Sequence, residues 1–345
     1  MKTLRDFNFR DKRVLVRCDF NVPLDGRGSI LDDFRIEKTL TTIMYLRKEG
    51  AGVVLMSHLG DPGGTIQEDL RLEPIRERLE SYLRVNVVKT NDCIGKYIEN
   101  QTYDTIPAAV MLLENLRFHK GEEEGDSRFA EELSRMGDVY INDAFGCCHR
   151  PHASIVGVPK YLPSAAGFLL EKEINILNQF LENPRRPVVV IVGGKKVQTK
   201  TKFLERTLEM ADTLLVGGPI KKEIEERELV FINSQKMIGP TDDINDFDIN
   251  GKTIETFKDK ILGAGTVFWN GPLGKIEEEI YTTGSREIAR AIIDSGAFSI
   301  IGGGETVEFI NKIGLSKKFS HVSTGGSAML AYVAGEKLPG IEALG

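Results

Sequence analysis

The apolar positions of this chain come in short unbroken runs, and between the runs they recur at helical spacing. In the first half the runs are RVLVRCDF (13–20), VVLMSHLG (53–60), VNVVK (85–89), AAVMLLENL (108–116) and VYINDAF (139–145). Unalternated aliphatic runs of this length are what strands buried on both faces of a parallel sheet look like. Between them, FRIEKTLTTIMYLRKEGA (34–51) spaces Ile36, Leu40, Ile43, Met44 and Leu46 as one helical face. LRLEPIRERLESYLR (70–84) and the acidic SRFAEELSRMG (127–137) read as further helices. The second half alternates again, with strands at PVVVIV (187–192), TLLVGG (213–218), TVFWNG (266–271), FSIIGGGE (298–305) and FSHVST (319–324). Helices are predicted between them at KTKFLERTLEMA (200–211), KKEIEEREL (221–229), GSREIARAIIDSG (284–296) and TVEFINKIG (306–314). Strands and helices alternating in this way predict an α/β fold of two doubly wound, Rossmann-like parallel-sheet domains.

Two stretches interrupt the alternation. From Val156 to Pro184 a loop with proline and glycine leads into one helix, Gly167–Glu182, which Pro184 stops. This predicts a first domain over 1–160, a long hinge helix as connector over 161–184 and a second domain over 185–332. The tail 333–345 is expected to pack back on the first domain. Phe231–Gly251 is polar and irregular and is predicted to be a loop.

Length agrees with two domains, since 345 residues exceed one ordinary core. Hydrophobic and charged contents of 41% and 28% are those of a soluble globular chain. A net charge of -6 argues against nucleic acid or an anionic membrane as a partner held by bulk charge, so any basic site is local. No apolar run approaches a membrane span and MKTLRDFNFRDKRV has no apolar signal core, so a cytoplasmic location is expected. Four cysteines fit a reducing compartment; CCHRPH sets Cys147 and Cys148 beside His149 and His152, but adjacent cysteines seldom ligate one ion together.

In open parallel sheets ligands sit outside the carboxyl ends of the strands, so the residues just after each run carry the chemistry. After the Pro187–Val192 run stand Gly193 and Gly194, then Lys196 and Lys200, predicted at i and i+4 on one face of a helix start. That combination is a phosphate grip, and it is equally a tight turn with solvated lysines. Gly217-Gly218, Gly302-Gly303-Gly304 and Gly325-Gly326 repeat the glycine pattern on the same edge, which suggests backbone approached by a phosphorylated ligand. Neither the P-loop nor the dinucleotide glycine fingerprint occurs. In the first half the equivalent positions are charged or polar: Asp19, Asn21, Arg35, His58, Arg117 and His149-Arg150. Arg35, Arg117 and Arg150 together would make an anion pocket, because guanidinium groups pair bidentately with phosphate and carboxylate.

RVLVRCDFNVPL, SHLG, LLENLRFHKGEE, YINDAFGCCHRPHASIVG, VVIVGGKKV, LLVGG, VFWNGPLG, IIGGGET and HVSTGGSAML together resemble the phosphoglycerate kinases, in that family's order and along nearly the whole chain. The resemblance implies a hinge-bending transferase that moves a phosphoryl group between 1,3-bisphosphoglycerate and ADP, giving 3-phosphoglycerate and ATP, with Mg2+ as cofactor. By motif, Asp19, Asn21, Arg35, His58, Arg117 and Arg150 would hold the glycerate. Gly193, Gly194, Lys196, Lys200, Gly217, Gly218, Asn270, Pro272, Glu277, Gly304, Glu305 and Thr306 would hold the nucleotide, with Glu305 beside the metal. Arg35, Lys196, Gly325 and Gly326 would stand at the transfer point. The partners implied are these small molecules, with neither nucleic acid nor membrane, for a monomer or homodimer. A carboxylate is already ionised at neutral pH, so attack on a phosphoryl group needs no general base and the task is placement and charge neutralisation.

The chain departs from the family pattern at several places. Asp61 stands where arginine is usual after SHLG, Glu305 where aspartate is usual, Lys195 and Lys275 replace small and apolar residues, and Pro219 and Ser327 interrupt glycine runs. The region Pro219–Gly265 is shorter than usual. These departures motivate an alternative, a catalytically weakened kinase-like binding protein. A nicotinamide-dependent dehydrogenase fits the composition but lacks the glycine fingerprint. His119, His321 and Trp269 are read as structural.

Overall fold

The computed structural model describes residues 1–345 apart from Lys196 and residues 241–246, with Thr199 described in its backbone only. The chain divides into two compact units, Met1–Ile174 with Lys337–Gly345, and Asn175–Glu336. The dividing point falls inside the helix Phe168–Glu182.

In the first unit the strands are β1 (Arg13–Arg17), β2 (Gly52–Met56), β3 (Val87–Lys89), β4 (Val110–Leu112), β5 (Val139–Asn142) and β6 (Ser164–Ala166). They form one sheet in the order β3-β4-β2-β1-β5-β6, and every pair is parallel. The β1 and β2 strands are buried at all five positions, which is why their sequences do not alternate. The order turns back at β1, which pairs with both β2 and β5 and brings Arg17, Met56 and Asn142 level at the carboxyl edge. That edge is the topological switch point, where a ligand crevice opens in such sheets.

The second unit has β7 (Val188–Val192), β8 (Thr213–Val216), β9 (Met237–Ile238), β10 (Thr266–Asn270), β11 (Phe298–Gly302) and β12 (His321–Val322). Their order is β12-β11-β10-β7-β8-β9, again parallel throughout. The switch lies between β7 and β10, whose carboxyl ends carry Gly193-Gly194 and Asn270-Gly271. Phe268 of β10 stacks on Phe180 at 4.9 Å and packs at a tilt against Phe203 at 5.5 Å. Trp269 is fully buried and its indole N–H donates to the Gly271 carbonyl at 2.8 Å, so it packs the sheet.

Three expectations are corrected. The stretch before the long helix contains a strand, β6, which pairs with β5; Ser-Ala-Ala is too short and too small to give an apolar run. A helix over Gly251–Leu262 covers the end of the predicted loop and the residues after it, and the predicted Lys221 helix begins three residues earlier, at Gly218, where Pro219 takes a first-turn position that suits its missing N–H. After Gly194 the α-helix does not start at once. It begins at Thr201, after a short turn at Gln198–Lys200. Lys200 therefore caps that helix rather than standing on its face, and Lys196 lies outside the described residues.

The start of the Phe168–Glu182 helix is held by Asp143, which follows β5. Its Oδ1 accepts from the Leu169 and Leu170 amides at 2.9 and 3.2 Å, while Oδ2 is buried without a hydrogen-bond partner. Burial pushes this carboxyl up from 3.8 to about 7, against the pull of the Thr42 hydroxyl and the two amides. A raised carboxyl pKa contributes stability that is fully present below about pH 4 and is lost as pH rises through about 7. Asp143→Asn, which cannot ionise, should therefore raise the thermal midpoint above wild type at about pH 8 and change it little near pH 4. Melting curves at the two pH values check this; an equal shift at both would refute it.

Candidate active site

The loops after β1 and β2 are stitched into one surface by the polar residues singled out from the sequence. Arg35, in the first turn of the helix Phe34–Lys48, donates from Nη1 to Asp19 Oδ2 at 2.8 Å and to the Asn21 carbonyl at 3.3 Å. Asn21 Oδ1 in turn accepts from the Gly60 amide at 2.9 Å, and Arg117 Nη1 donates to the Gly60 carbonyl at 2.8 Å. Arg117 Nε lies 3.1 Å from Glu123 but outside hydrogen-bond geometry and is buried without a partner. Asn115 fixes the loop beneath, donating to the Leu59 and Leu70 carbonyls and accepting from the Arg117 amide. Arg150 is exposed and donates from Nε to His149 Nε2 at 3.3 Å.

His58 is buried, and burial together with the Arg17, Arg117, Arg35 and Arg150 guanidiniums holds its pKa well below the usual imidazole range. It is neutral at pH 7. Asp19, His58 and Cys147 bring one donor atom each within 4.8 Å of one another, as do Asp92, Cys93 and His119. The first trio is set for an anion. Four guanidiniums act on His58, an environment that repels a cation, and Arg17 Nη2 faces its Nδ1 at 3.3 Å. In the second, His119 Nε2 meets Asp92 Oδ1 at 2.7 Å and the ring stacks on Phe129 at 5.2 Å, a packing role.

Arg17 was missed in the sequence. A charged residue closing the apolar run RVLVR was the available signal. It is fully buried, donating to Ser154 Oγ at 2.8 Å and to the Cys18 carbonyl. Glu122, equally buried, lies 3.7 Å away and accepts from Ser154 Oγ at 2.6 Å and from the Ser154 amide at 2.9 Å.

In the second unit the candidates gather around a close approach of two loops. The Gly193 amide donates to the Asn270 carbonyl and the Gly194 amide to the Pro272 carbonyl, both at 2.9 Å. A Cβ on Gly193 would lie 2.0 Å from the Pro272 oxygen, so only glycine permits this contact. Gly217 caps the Gly218–Glu226 helix with its α-carbon face toward Gly193. Lys200 Nζ donates to the Gly193 carbonyl; burial lowers its pKa from 10.5 to about 8, with Glu305 pulling the other way. Gly304, Glu305 and Thr306 form the first turn of the helix Gly304–Lys312, entered through Gly303 at φ 92°. Thr306 Oγ1 accepts from the Gly271 amide at 2.9 Å, and Glu305 is exposed. Asn270 Nδ2 is buried without a partner, an orphan donor at this edge. Gly325 donates to Ser323 Oγ at 3.0 Å and Gly326, at φ 49°, opens the helix Ser327–Val333. Glu277 is exposed in the loop after β10, beside the Lys275–Glu278 ion pair.

Mg2+ takes one or two carboxylates, several waters and substrate phosphates rather than a full protein cage. The residues fit that demand: Glu305 is a solvent-facing carboxylate on the helix turn whose charge reaches Lys200.

Two parallel-sheet units, one presenting guanidiniums and the other glycine backbone with a half-buried lysine, define a class of two-domain phosphoryl-transfer proteins. The family model described as phosphoglycerate kinase matches residues 4–228 and 221–336. The chain is 42% identical to the phosphoglycerate kinase of Moorella thermoacetica over 387 residues, covering 99% of this chain and 98% of that one. It is also 42% identical to the phosphoglycerate kinase of Borrelia garinii subsp. bavariensis, covering 100% and 99%. Among solved structures, phosphoglycerate kinase from Pyrococcus horikoshii superposes with a TM-score of 0.88 at 31% identity, covering 100% and 98%. The Coxiella burnetii phosphoglycerate kinase gives 0.82 at 32%, covering 99% and 98%. This chain belongs to the phosphoglycerate kinase family. The two matched segments overlap at 221–228, inside the region Pro219–Gly265 expected from the sequence to be short. Neither the binding-protein nor the dehydrogenase alternative gains support from these matches. No helix among the described residues is long and apolar enough to cross a membrane.

Proposed function

We propose that this chain catalyses reversible phosphoryl transfer between 1,3-bisphosphoglycerate and ADP, giving 3-phosphoglycerate and ATP, as a phosphotransferase with a carboxyl acceptor. The observation that carries the reading is family membership along nearly the whole chain, and the Arg35–Asp19 pair after β1 agrees with it. In this reading Asp19, Asn21, Arg35, His58, Arg117 and Arg150 bind the glycerate. Arg35 neutralises charge on the reacting oxygens, and Asp19 fixes its fork by the 2.8 Å bond. Neutral His58 donates a hydrogen bond without adding charge. Gly193, Gly194, Gly217, Gly218, Asn270 and Pro272 supply the nucleotide with backbone and the free Asn270 amide. Lys196 and Lys200 meet its phosphates, Thr306 and Gly304 line the phosphate end, Glu277 meets the ribose, and Gly325 and Gly326 offer amides at the transfer point. Glu305 holds Mg2+, which when bound neutralises the nucleotide phosphates. Carboxylate and phosphoryl donor have to be brought in line and water kept from the acyl phosphate.

A coupled assay with 3-phosphoglycerate, Mg2+ and ATP tests this, with GTP in parallel because of the shortened Pro219–Gly265 region. Saturable, 3-phosphoglycerate-dependent turnover is expected. No turnover in either direction with any common nucleotide would overturn the reading.

A further inference from the structure

Three buried groups form an ordered chain that ends on His58, one of the proposed glycerate residues. Glu122 and Ser154 are both fully buried. Ser154 Oγ donates to Glu122 Oε1 at 2.6 Å, so its lone pairs are turned to Arg17 Nε, which donates to it at 2.8 Å. Glu122 Oε1 also lies 3.7 Å from Arg17 Nη2. The guanidinium is thereby held on one edge by a hydroxyl and a carboxylate and on another by the Cys18 carbonyl, with Nη2 directed to His58 Nδ1 at 3.3 Å. A guanidinium has donors only, so Nδ1 must accept, and the proton of a neutral imidazole then resides on Nε2. His58 Nε2 has no hydrogen-bond partner among the described residues and is not one of the buried orphan atoms.

We propose that Glu122, Ser154 and Arg17 are positioning residues that lock His58 in its Nε2–H tautomer, so that the ring presents a donor to an oxyanion of the acid substrate. The proposal rests on the reading of His58 as a substrate residue. The other groups facing the ring agree with it. Arg35, Arg117 and Arg150 disfavour imidazolium; of the donors within 4.8 Å, Asp19 is held by Arg35, and Cys147 is a thiol whose pKa burial pushes up to about 11. His152, whose Nδ1 lies 3.9 Å from Glu122, is itself lowered to about 4 by burial and the Arg17 charge, and supplies no competing cation to Glu122.

The test is nitrogen-15 histidine NMR on the full ligand-free chain, which has 5 histidines, with the His58 signal assigned through His58→Gln. Wild type should show a neutral Nε2–H ring at pH 7. Ser154→Ala and Glu122→Gln should each turn that signal into a tautomer mixture and raise KM for 3-phosphoglycerate about threefold to tenfold with kcat little changed. Glu122→Asp should recover part of the effect. Should Glu122→Gln fail to fold, Ser154→Ala decides. An Nδ1–H ring or an imidazolium in wild type, or variants that keep one tautomer, overturns the proposal. The expected tautomer in a chain without turnover upholds the relay and removes the functional reading instead.

Discussion

Arg35→Ala should lower kcat/KM for 3-phosphoglycerate by about 10²- to 10³-fold while the protein stays folded. The effect is large because the charge developing on the transferred group has to be met by a donor already in place, and Arg35 is the guanidinium pinned at 2.8 Å by Asp19. The fold should tolerate the loss. The Arg35 side chain is 31% exposed, so its ion pair contributes about 1 kcal/mol or less, and Asp19 keeps the Asn21 amide at 3.2 Å. Arg35→Lys retains the charge but not the fork and should recover part of the rate. Steady-state kinetics with 3-phosphoglycerate varied, beside a thermal melt, separate the two terms. A variant within about threefold of wild type would remove Arg35 from the reaction.

Lys200→Met should cost about 10²-fold or more in kcat and at the same time stabilise the chain at neutral pH. The two signs follow from one fact. Burial lowers the lysine from 10.5 to about 8, so the folded chain holds its proton less tightly than the unfolded chain. Stability therefore rises with pH between about 8 and 10.5, and below that window the buried charge is a standing cost on the order of 1–3 kcal/mol. Methionine removes that cost. For activity the charged form is the useful one, since it meets phosphate, so kcat/KM for ATP should fall on the alkaline side with an apparent pKa near 8. A profile flat to about pH 9.5, or a variant less stable than wild type at pH 7, would contradict this account.

Within the site, legibility followed how local the chemistry was. Asp19, His58 and Gly193 could be singled out because each stands within two residues of a strand's carboxyl end, and the strand is announced by its own apolar run. Lys200 could be found as a residue but not as an environment. Its depressed pKa arises from burial, since the helix is delayed to Thr201 and the ammonium is folded in toward the sheet edge despite the Gly193 carbonyl it donates to. Arg17 and Glu122 were invisible as a pair, since 105 positions separate them and a glutamate within KGEEEGD looks like solvated surface.

What the linear chain determined by itself is the alternation of strands and helices, the parallel class of both sheets and the family, because unbroken aliphatic runs and glycine turns act over a few residues and survive in any context. Tertiary structure alone decided that Ser-Ala-Ala would join a sheet as β6, that Asp143 would hold a helix start with an orphan oxygen, and that Glu122, Ser154 and Arg17 would meet behind His58. The reason is common to all three. Burial and hydrogen bonding of a polar group depend on which distant segment comes to lie against it, and that is set only when the sheet assembles.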